Sequence, residues 1–369
     1  MFWYVFISIL MLYPFLLVYV GKKRGVRTEI LALQISCAVL FFFMAVRSEE
    51  IGVDTKYYCY VFEQLREVSW LEVPDAVTYG IRGSDWVLDL ELGYRMINKL
   101  IGCFFSSTHG FLIVDSCIIM FLLYNLIRKQ SKDCFLSIWL YLTLGIFQTE
   151  MNVSRNAVAI LICYHALKYV EQKKFLKYVL FICLAALIHK SSILFIPLYF
   201  ILKRPFCSIK NMCRMMLISV AAGIGFMLIG SYIQRVIPWS IGQYLMASNE
   251  KTESLLVGGL YLAIVAFIWF MAKKNERQYL FAGCPVGAWM FTFNICCYGL
   301  NIGFKMAARL AALFGTYMII FVPDLIDKIS GKKRKNRIVL ILVFGCLIQY
   351  FLRMMINNIG GTMPYSFYR

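Results

Sequence analysis

Charge is scarce in this chain, and negative charge scarcest of all: charged residues are 16% of the sequence, with 20 Asp and Glu against 38 Lys and Arg. Histidine occurs three times and proline eight times in 369 residues. No CxxC pair, HExxH segment or Gly-rich nucleotide loop is present, which removes the usual zinc, metalloprotease and phosphate-cradle signatures. The thirteen cysteines are scattered, mostly inside apolar runs and without a repeating spacing. They read as small packing residues, not as a disulfide framework or a zinc site. Internal repeats and low-complexity tracts are missing too, which weakens any reading built on two related halves.

What fills the space is apolar. Hydrophobic residues make up 61% of the chain and its mean hydropathy is +0.70, values that belong to a polytopic membrane protein. Apolar runs recur near 2–20, 29–46, 109–127, 134–150, 152–170, 175–188, 192–202, 215–233, 255–272, 279–300, 306–326 and 338–356. They predict an all-α polytopic integral membrane protein with about twelve transmembrane helices, forming one membrane domain over 1–369. The seventh run is so short that a tilted or broken crossing is expected there. The first run carries its basic cluster after it, so it reads as an uncleaved helix rather than a signal peptide.

Lys and Arg gather in cytoplasmic loops, so their positions orient the threading. With 21–28 inside and strict alternation thereafter, the inner segments hold 24 of the 38 basic residues, among them Lys22, Lys23, Arg24, Lys173, Lys174, Lys332, Lys333, Arg334 and Lys335. Both termini then lie outside the cytoplasm, and the formal charge of +18 is membrane topology, not a nucleic-acid surface. The long extracytoplasmic loop, 47–108, contains ten of the twenty acids. Within it Tyr57, Tyr58, Val61, Phe62 and Leu65 recur at helical spacing, as do Leu92, Met96, Leu100 and Phe104. Two amphipathic helices on the outer membrane surface satisfy both patterns. The stretch EVPDAVTYGIRGSDW between them reads as turn and loop.

Basic residues on the outer side are informative because the positive-inside rule works against them. Arg47 in AVRSEEIGVD, Arg155 in EMNVSRNAVAI and Arg309 in GFKMAARLAAL sit at helix mouths, where a guanidinium needs an anionic partner or ligand. Local acids offer one account: Glu49 or Glu50 for Arg47, and Glu150 for Arg155. Arg309 has no such neighbour, and Lys305 precedes it by one helical turn, a pair suited to a phosphate group. His189, in AALIHKSSILF, is a candidate general base or phosphate donor, with a helix-terminal hydrogen bonder as the alternative. Asp54 either caps the helix that follows it or, with Gly52 turning the backbone, points at a sugar hydroxyl. Asp115, inside the third run, calls for a partner on a neighbouring helix. The inner loops are too short to fold a nucleotide-sugar domain, so a substrate must come from the outer face or the bilayer.

Four stretches, AVRSEEIGVDTKYY, NVSRNAVAI with ALIHKSSILFIPLYF, FKMAARLAALFGTYMIIFVP, and the terminal NNIGGTMPYSFYR, resemble in order and spacing the motifs of the EpsG-like branch of the Wzy-type polysaccharide polymerases. ELGYRMINKLI fits the loop segment of that family. The resemblance runs from end to end. It implies a lipid-dependent, GT-C-like glycosyltransferase architecture in the bacterial plasma membrane. The implied activity joins oligosaccharide repeat units on the outer face into a capsular, exopolysaccharide or O-antigen-type polymer. Polyprenyl-pyrophosphate-linked sugars serve as donor and acceptor, and a flippase and a chain-length regulator are candidate partners.

Residue chemistry agrees with that implication. A departing pyrophosphate needs its developing charge neutralised by a metal or by fixed cations. With no metal-ligand cluster in the sequence, no metal and no cofactor is expected, and Arg47, Arg155, Arg309 and Lys305 are the candidates. Asp54 or His189 could accept the proton of the incoming hydroxyl. Tyr57, Tyr58 and Trp86 could stack on sugar rings or act as interfacial anchors. Two other classes compete. A lipid-linked oligosaccharide flippase should show related halves and ionisable residues near the bilayer midplane. A membrane acyltransferase should show a histidine facing a cytosolic donor, and His165, nearest that side, lacks polar company. The threading is checked by a reporter fused after Lys335: a cytoplasmic signal is expected, and an outside signal overturns the orientation.

Overall fold

A computed structural model describes residues 1–16, 18, 26–74, 90–206, 208–236 and 251–368. Every regular element among them is helical, and the one strand-like feature among them is an isolated antiparallel bridge between Arg47 and Phe367. In chain order the helices are α1 (Phe2–Phe15), α2 (Val26–Ala45), α3 (Thr55–Glu67), α4 (Leu92–Gly102), α5 (Thr108–Gln130), α6 (Cys134–Thr143), α7 (Ile146–Asn152), α8 (Ser154–Glu171) and α9 (Phe175–Ala186). They continue as α10 (Phe195–Leu202), α11 (Ile209–Val236), α12 (Lys251–Met271), α13 (Lys274–Leu280), α14 (Pro285–Leu300), α15 (Met306–Gly315), α16 (Met318–Asp327) and α17 (Lys332–Asn357). Short 3-10 turns occupy Lys190–Leu194 and Ile359–Gly361.

The protein is a polytopic membrane protein by the length and apolarity of these helices. Among the described residues four are long and apolar enough to cross a bilayer: Thr28–Ala45, Thr108–Gln130, Ile209–Ile229 and Lys332–Asn357. The count reaches seven if each of three bent pairs is one span. Three runs that read as single crossings are therefore broken: α6 and α7 meet at 61°, α13 and α14 at 80°, and α15 and α16 at 46°. Backbone groups freed by a break inside hydrocarbon must find new partners. At the first break Gly145 turns the chain with φ +79, and α17 supplies the donors. Gln349 Nε2 donates to the Thr143 carbonyl at 2.5 Å and Arg353 Nη1 to the Leu144 carbonyl at 2.9 Å.

Contacts divide the chain into two compact units. One comprises Met1–Gln130, Ile138–Tyr199 and Cys346–Arg369; the other comprises Ser131–Ser137 and Phe200–Gly345. In the second unit α14 is central, packed against α11, α12, α15 and α16. Pro285 begins α14, where a missing N–H costs nothing. Glu276 on α13 accepts the Lys273 backbone N–H at 2.8 Å and that of Ser330 at 3.0 Å, which pins the turn before α17.

In the first unit α8 packs between α5 and α9, α2 lies on α5, and α1 lies on α2. Amphipathic α3 forms where the 47–108 loop predicts it and buries Tyr58, Val61, Phe62 and Leu65. Amphipathic α4 also forms, but Tyr94, Asn98 and Ile101 make its packed side, and the stripe Leu92, Met96 and Leu100 stays exposed. Most of the loop stretch between them, 75–89, lies outside the described residues.

One end of this unit is closed by the C-terminal segment. Tyr368 donates its backbone N–H to Val46 at 2.9 Å, and Ser48 donates to Ser366 at 2.9 Å. Tyr4 donates its hydroxyl to the Thr362 carbonyl at 3.1 Å, and the Tyr368 ring stacks on His109 at 4.4 Å. Beneath this strap Arg47 is 1% exposed. Its guanidinium donates to the Met44 carbonyl and to Ser116 Oγ at 3.2 Å, and stands 3.7 Å from Asp115 Oδ2 on α5. The local partners Glu49 and Glu50 are engaged elsewhere: Thr108 donates to Glu49, and Lys56 Nζ binds Glu50 at 2.8 Å. Asp115 thus finds the neighbouring-helix partner its position demands.

Removing one member of such a buried pair strands the other charge at a cost of about 3–5 kcal/mol, whereas an apolar pair can be tolerated. Arg47→Met alone should lower the thermal unfolding midpoint of the detergent-solubilised protein sharply. Arg47→Met with Asp115→Leu should recover most of the loss.

Candidate functional site

Helices that alternate in direction bring the ends of α2 and α9 and the starts of α3, α5 and α8 to the strapped end of the first unit. The polar segments between helices meet there. The turn 48–54 docks on the junction between α7 and α8: the Asp54 backbone N–H donates to Asn152 Oδ1 at 2.8 Å, and Thr55 Oγ1 donates to the Ile51 carbonyl at 2.6 Å. Gly52 has φ +93, and a Cβ there would lie 2.9 Å from Asn152 Cα. The position therefore requires glycine.

Asp54 occupies the N-cap position of α3, yet its side chain makes no capping hydrogen bond. The capping account of Asp54 is thereby corrected: what anchors the residue is its backbone on Asn152. Tyr57 is half-buried and Tyr58 buried, and their ring centroids are 6.0 Å apart. Tyr58 packs edge-on to Tyr94 at 5.8 Å, so much of its surface is covered by protein. Trp86 lies outside the described residues.

Arg155 opens α8 and does not pair with Glu150. That carboxylate is buried and accepts the Tyr141 hydroxyl at 2.6 Å. Arg155 instead donates through Nη1 to Glu91 Oε2, which joins α8 to the segment leading into α4. The guanidinium lies over the Tyr94 ring at 5.7 Å, a cation–π contact, and its Nε is buried without a hydrogen bond. Glu91 turns its other oxygen to the opposite wall. Oε1 accepts the Lys190 backbone N–H at 2.8 Å and lies 3.5 Å from His189 Nδ1. One carboxylate thus gathers an arginine from α8 and a histidine and an amide from the turn after α9. The side chains of Glu91, Arg155 and His189 are 10%, 13% and 24% exposed, so the cluster is largely covered and the imidazole is its most open member.

Gly93 makes this convergence possible. A Cβ there would stand 2.6 Å from the Leu187 carbonyl, which accepts the Tyr94 backbone N–H at 3.2 Å. Lys305 and Arg309 belong to the other unit. Lys305 is the N-cap residue of α15 and Arg309 stands four positions on, so both share one helix face. Arg309 is exposed.

The structure therefore joins Arg155 and His189 through Glu91, a residue that sequence reasoning did not single out. ELGYR carried the signal, because it places an acid immediately before an amphipathic helix. Chemically, the cluster offers one fixed cation, one carboxylate and one imidazole, each partly exposed.

A family model described as the EpsG family matches residues 30–367, nearly the whole chain. No curated protein and no solved structure matches the chain.

Burial raises the Glu91 carboxyl, but His189, the Lys190 amide and the Arg155 guanidinium outweigh it and bring the pKa from 4.5 to about 2. A carboxyl depressed in the folded state contributes stability fully above its unfolded value and loses it as pH falls through the folded one. Thermal midpoints in detergent should therefore fall as pH drops from about 4.5 towards 2. In Glu91→Gln that part of the curve should be flatter.

Proposed function

Since the chain belongs to the EpsG family, a family of Wzy-like polysaccharide polymerases, we propose that it elongates a surface polysaccharide from polyprenyl-pyrophosphate-linked repeat units. The reaction takes place on the outer face of the bacterial plasma membrane. An acceptor hydroxyl attacks the anomeric carbon of the donor; the new C–O bond forms as the bond to pyrophosphate breaks, and the pyrophosphate leaves with the electron pair. Fixed cations stabilise that developing charge without a metal. The observation that carries this reading is the cluster in which Glu91 holds Arg155 beside His189.

Arg155 is the cation we assign to one pyrophosphate, its side chain 13% exposed. Donor and acceptor both carry pyrophosphate, so a second cationic site is required, and Lys305 with Arg309 are the candidates in the other unit. Arg47 is proposed to frame the cluster through Asp115. Tyr57, beside Arg155, is the aromatic candidate for a sugar ring. We further read the chain as crossing the bilayer about twelve times in a GT-C-like arrangement with both termini outside, and as working after a flippase and under a chain-length regulator. The exposed stripe Leu92, Met96 and Leu100 suits a helix lying on the membrane surface.

Arg155→Ala should reduce polymer at least 100-fold in cells, with single lipid-linked repeat units accumulating on the outer leaflet. Loss of a fixed charge-stabilising donor is worth about that much. Units trapped on the inner leaflet would mark a flippase and sink the polymerase reading.

A further inference from the structure

We propose that Glu91 is the positioning residue of His189: it holds the Nδ1 side of the ring, so that Nε2 is the proton acceptor for the sugar hydroxyl. The proposal rests on the polymerase reading and names the base within it.

Geometry favours His189 over Asp54. The His189 backbone is fixed on both sides, since its N–H donates to the Ala185 carbonyl at 2.9 Å and its carbonyl accepts the Ser192 N–H at 3.0 Å. Nδ1 is buried and makes no hydrogen bond among the described residues, with Glu91 Oε1 at 3.5 Å as the anion facing it. An imidazole whose Nδ1 keeps its proton beside a carboxylate must leave Nε2 as the lone-pair nitrogen. Glu91 cannot drift from this place. Gly93, two residues after it, is packed on Leu187, two residues before His189, and the Tyr94 to Leu187 hydrogen bond locks the register. Asp54 is tied instead to the turn 48–54, where its backbone N–H donates to Asn152 Oδ1.

In the transfer step the acceptor O–H proton passes to His189 Nε2 as the C–O bond forms and the C–O bond to pyrophosphate breaks. The imidazolium is stabilised by Glu91 and returns its proton to water after release. Arg155, on the other oxygen of the same carboxylate, faces the leaving group. Other titratable or charged groups around the cluster are Tyr94 on α4, Lys190 on the 3-10 turn, Tyr57 and Tyr58 on α3, and two carboxylates that act on those tyrosines, Asp54 and Asp115; Asp115 is held by Arg47.

The test uses the full chain in lipid nanodiscs, with lipid-linked repeat units extracted from cells lacking this protein, and follows elongation rate against pH. His189→Ala should lose about 100-fold or more in kcat, as removal of a general base does. Glu91→Gln should lose about tenfold or more in kcat with little change in KM, and its acid limb should move to lower pH because the imidazolium has lost its counter-charge. Adding Glu91→Gln to His189→Ala should cost less than the same change costs wild type, because only the share acting through Arg155 remains. A Glu91→Gln acid limb unchanged from wild type, or a Glu91→Gln loss equal in the two backgrounds, overturns the pairing. Wild-type protein that fails to elongate these lipids sinks the polymerase reading itself, and the proton transfer with it. One measurement needs no variant to stay folded. The chain has three histidines, so selective nitrogen-15 labelling should show His189 with its proton on Nδ1 near pH 8, and a proton on Nε2 there refutes the proposal.

Discussion

A guanidinium that is only 1% exposed must be neutralised and hydrogen-bonded where it stands, because an unpaired buried charge would cost more than most single contacts can return. Arg47 meets that demand with Asp115, Ser116 and the Met44 carbonyl. The pair joins the end of α2 to α5, and its roof is the C-terminal strap. The bridge between Arg47 and Phe367 and the hydrogen bonds from Ser48 and Tyr368 seal it. From this corner the turn 48–54 is aimed at Asn152, which sets where α3 begins and where α8 meets it.

The cluster of Arg155, Glu91 and His189 repeats the same logic with a more open solution. Arg155 is also at a helix mouth, but its anion comes from the start of α4 and is shared with the turn after α9. Sharing ties α8, the start of α4 and the turn after α9 to one carboxylate, so a guanidinium and an imidazole stay within its reach. Membrane-embedded active sites need this economy, since every ionisable group placed near hydrocarbon must already have a partner.

Several elements were legible from residue order alone. The amphipathic period of Tyr58, Val61, Phe62 and Leu65 predicted α3 and its packed side. The period of Leu92, Met96 and Leu100 predicted α4, although its packed side is the opposite one, with Tyr94 and Asn98. The need for a partner at Asp115 was readable, but its identity was not. Single apolar runs concealed the bends at Gly145 and before Pro285, because hydropathy averages over a break that costs only a few carbonyl bonds, at Gly145 satisfied by Gln349 and Arg353.

By itself, the sequence determined the helical class, the membrane setting and the family, since apolar length and the order of motifs are properties of the chain taken one segment at a time. Ion pairing was decided only by tertiary structure. Arg155 has Glu150 five positions away, yet binds Glu91 at a separation of 64 residues. The physical reason is that a helix carries successive side chains to different faces, and Glu150, turned inward, is already held by the Tyr141 hydroxyl. Glu91 reaches His189 because Gly93 lets α4 touch Leu187, a contact that no periodicity encodes.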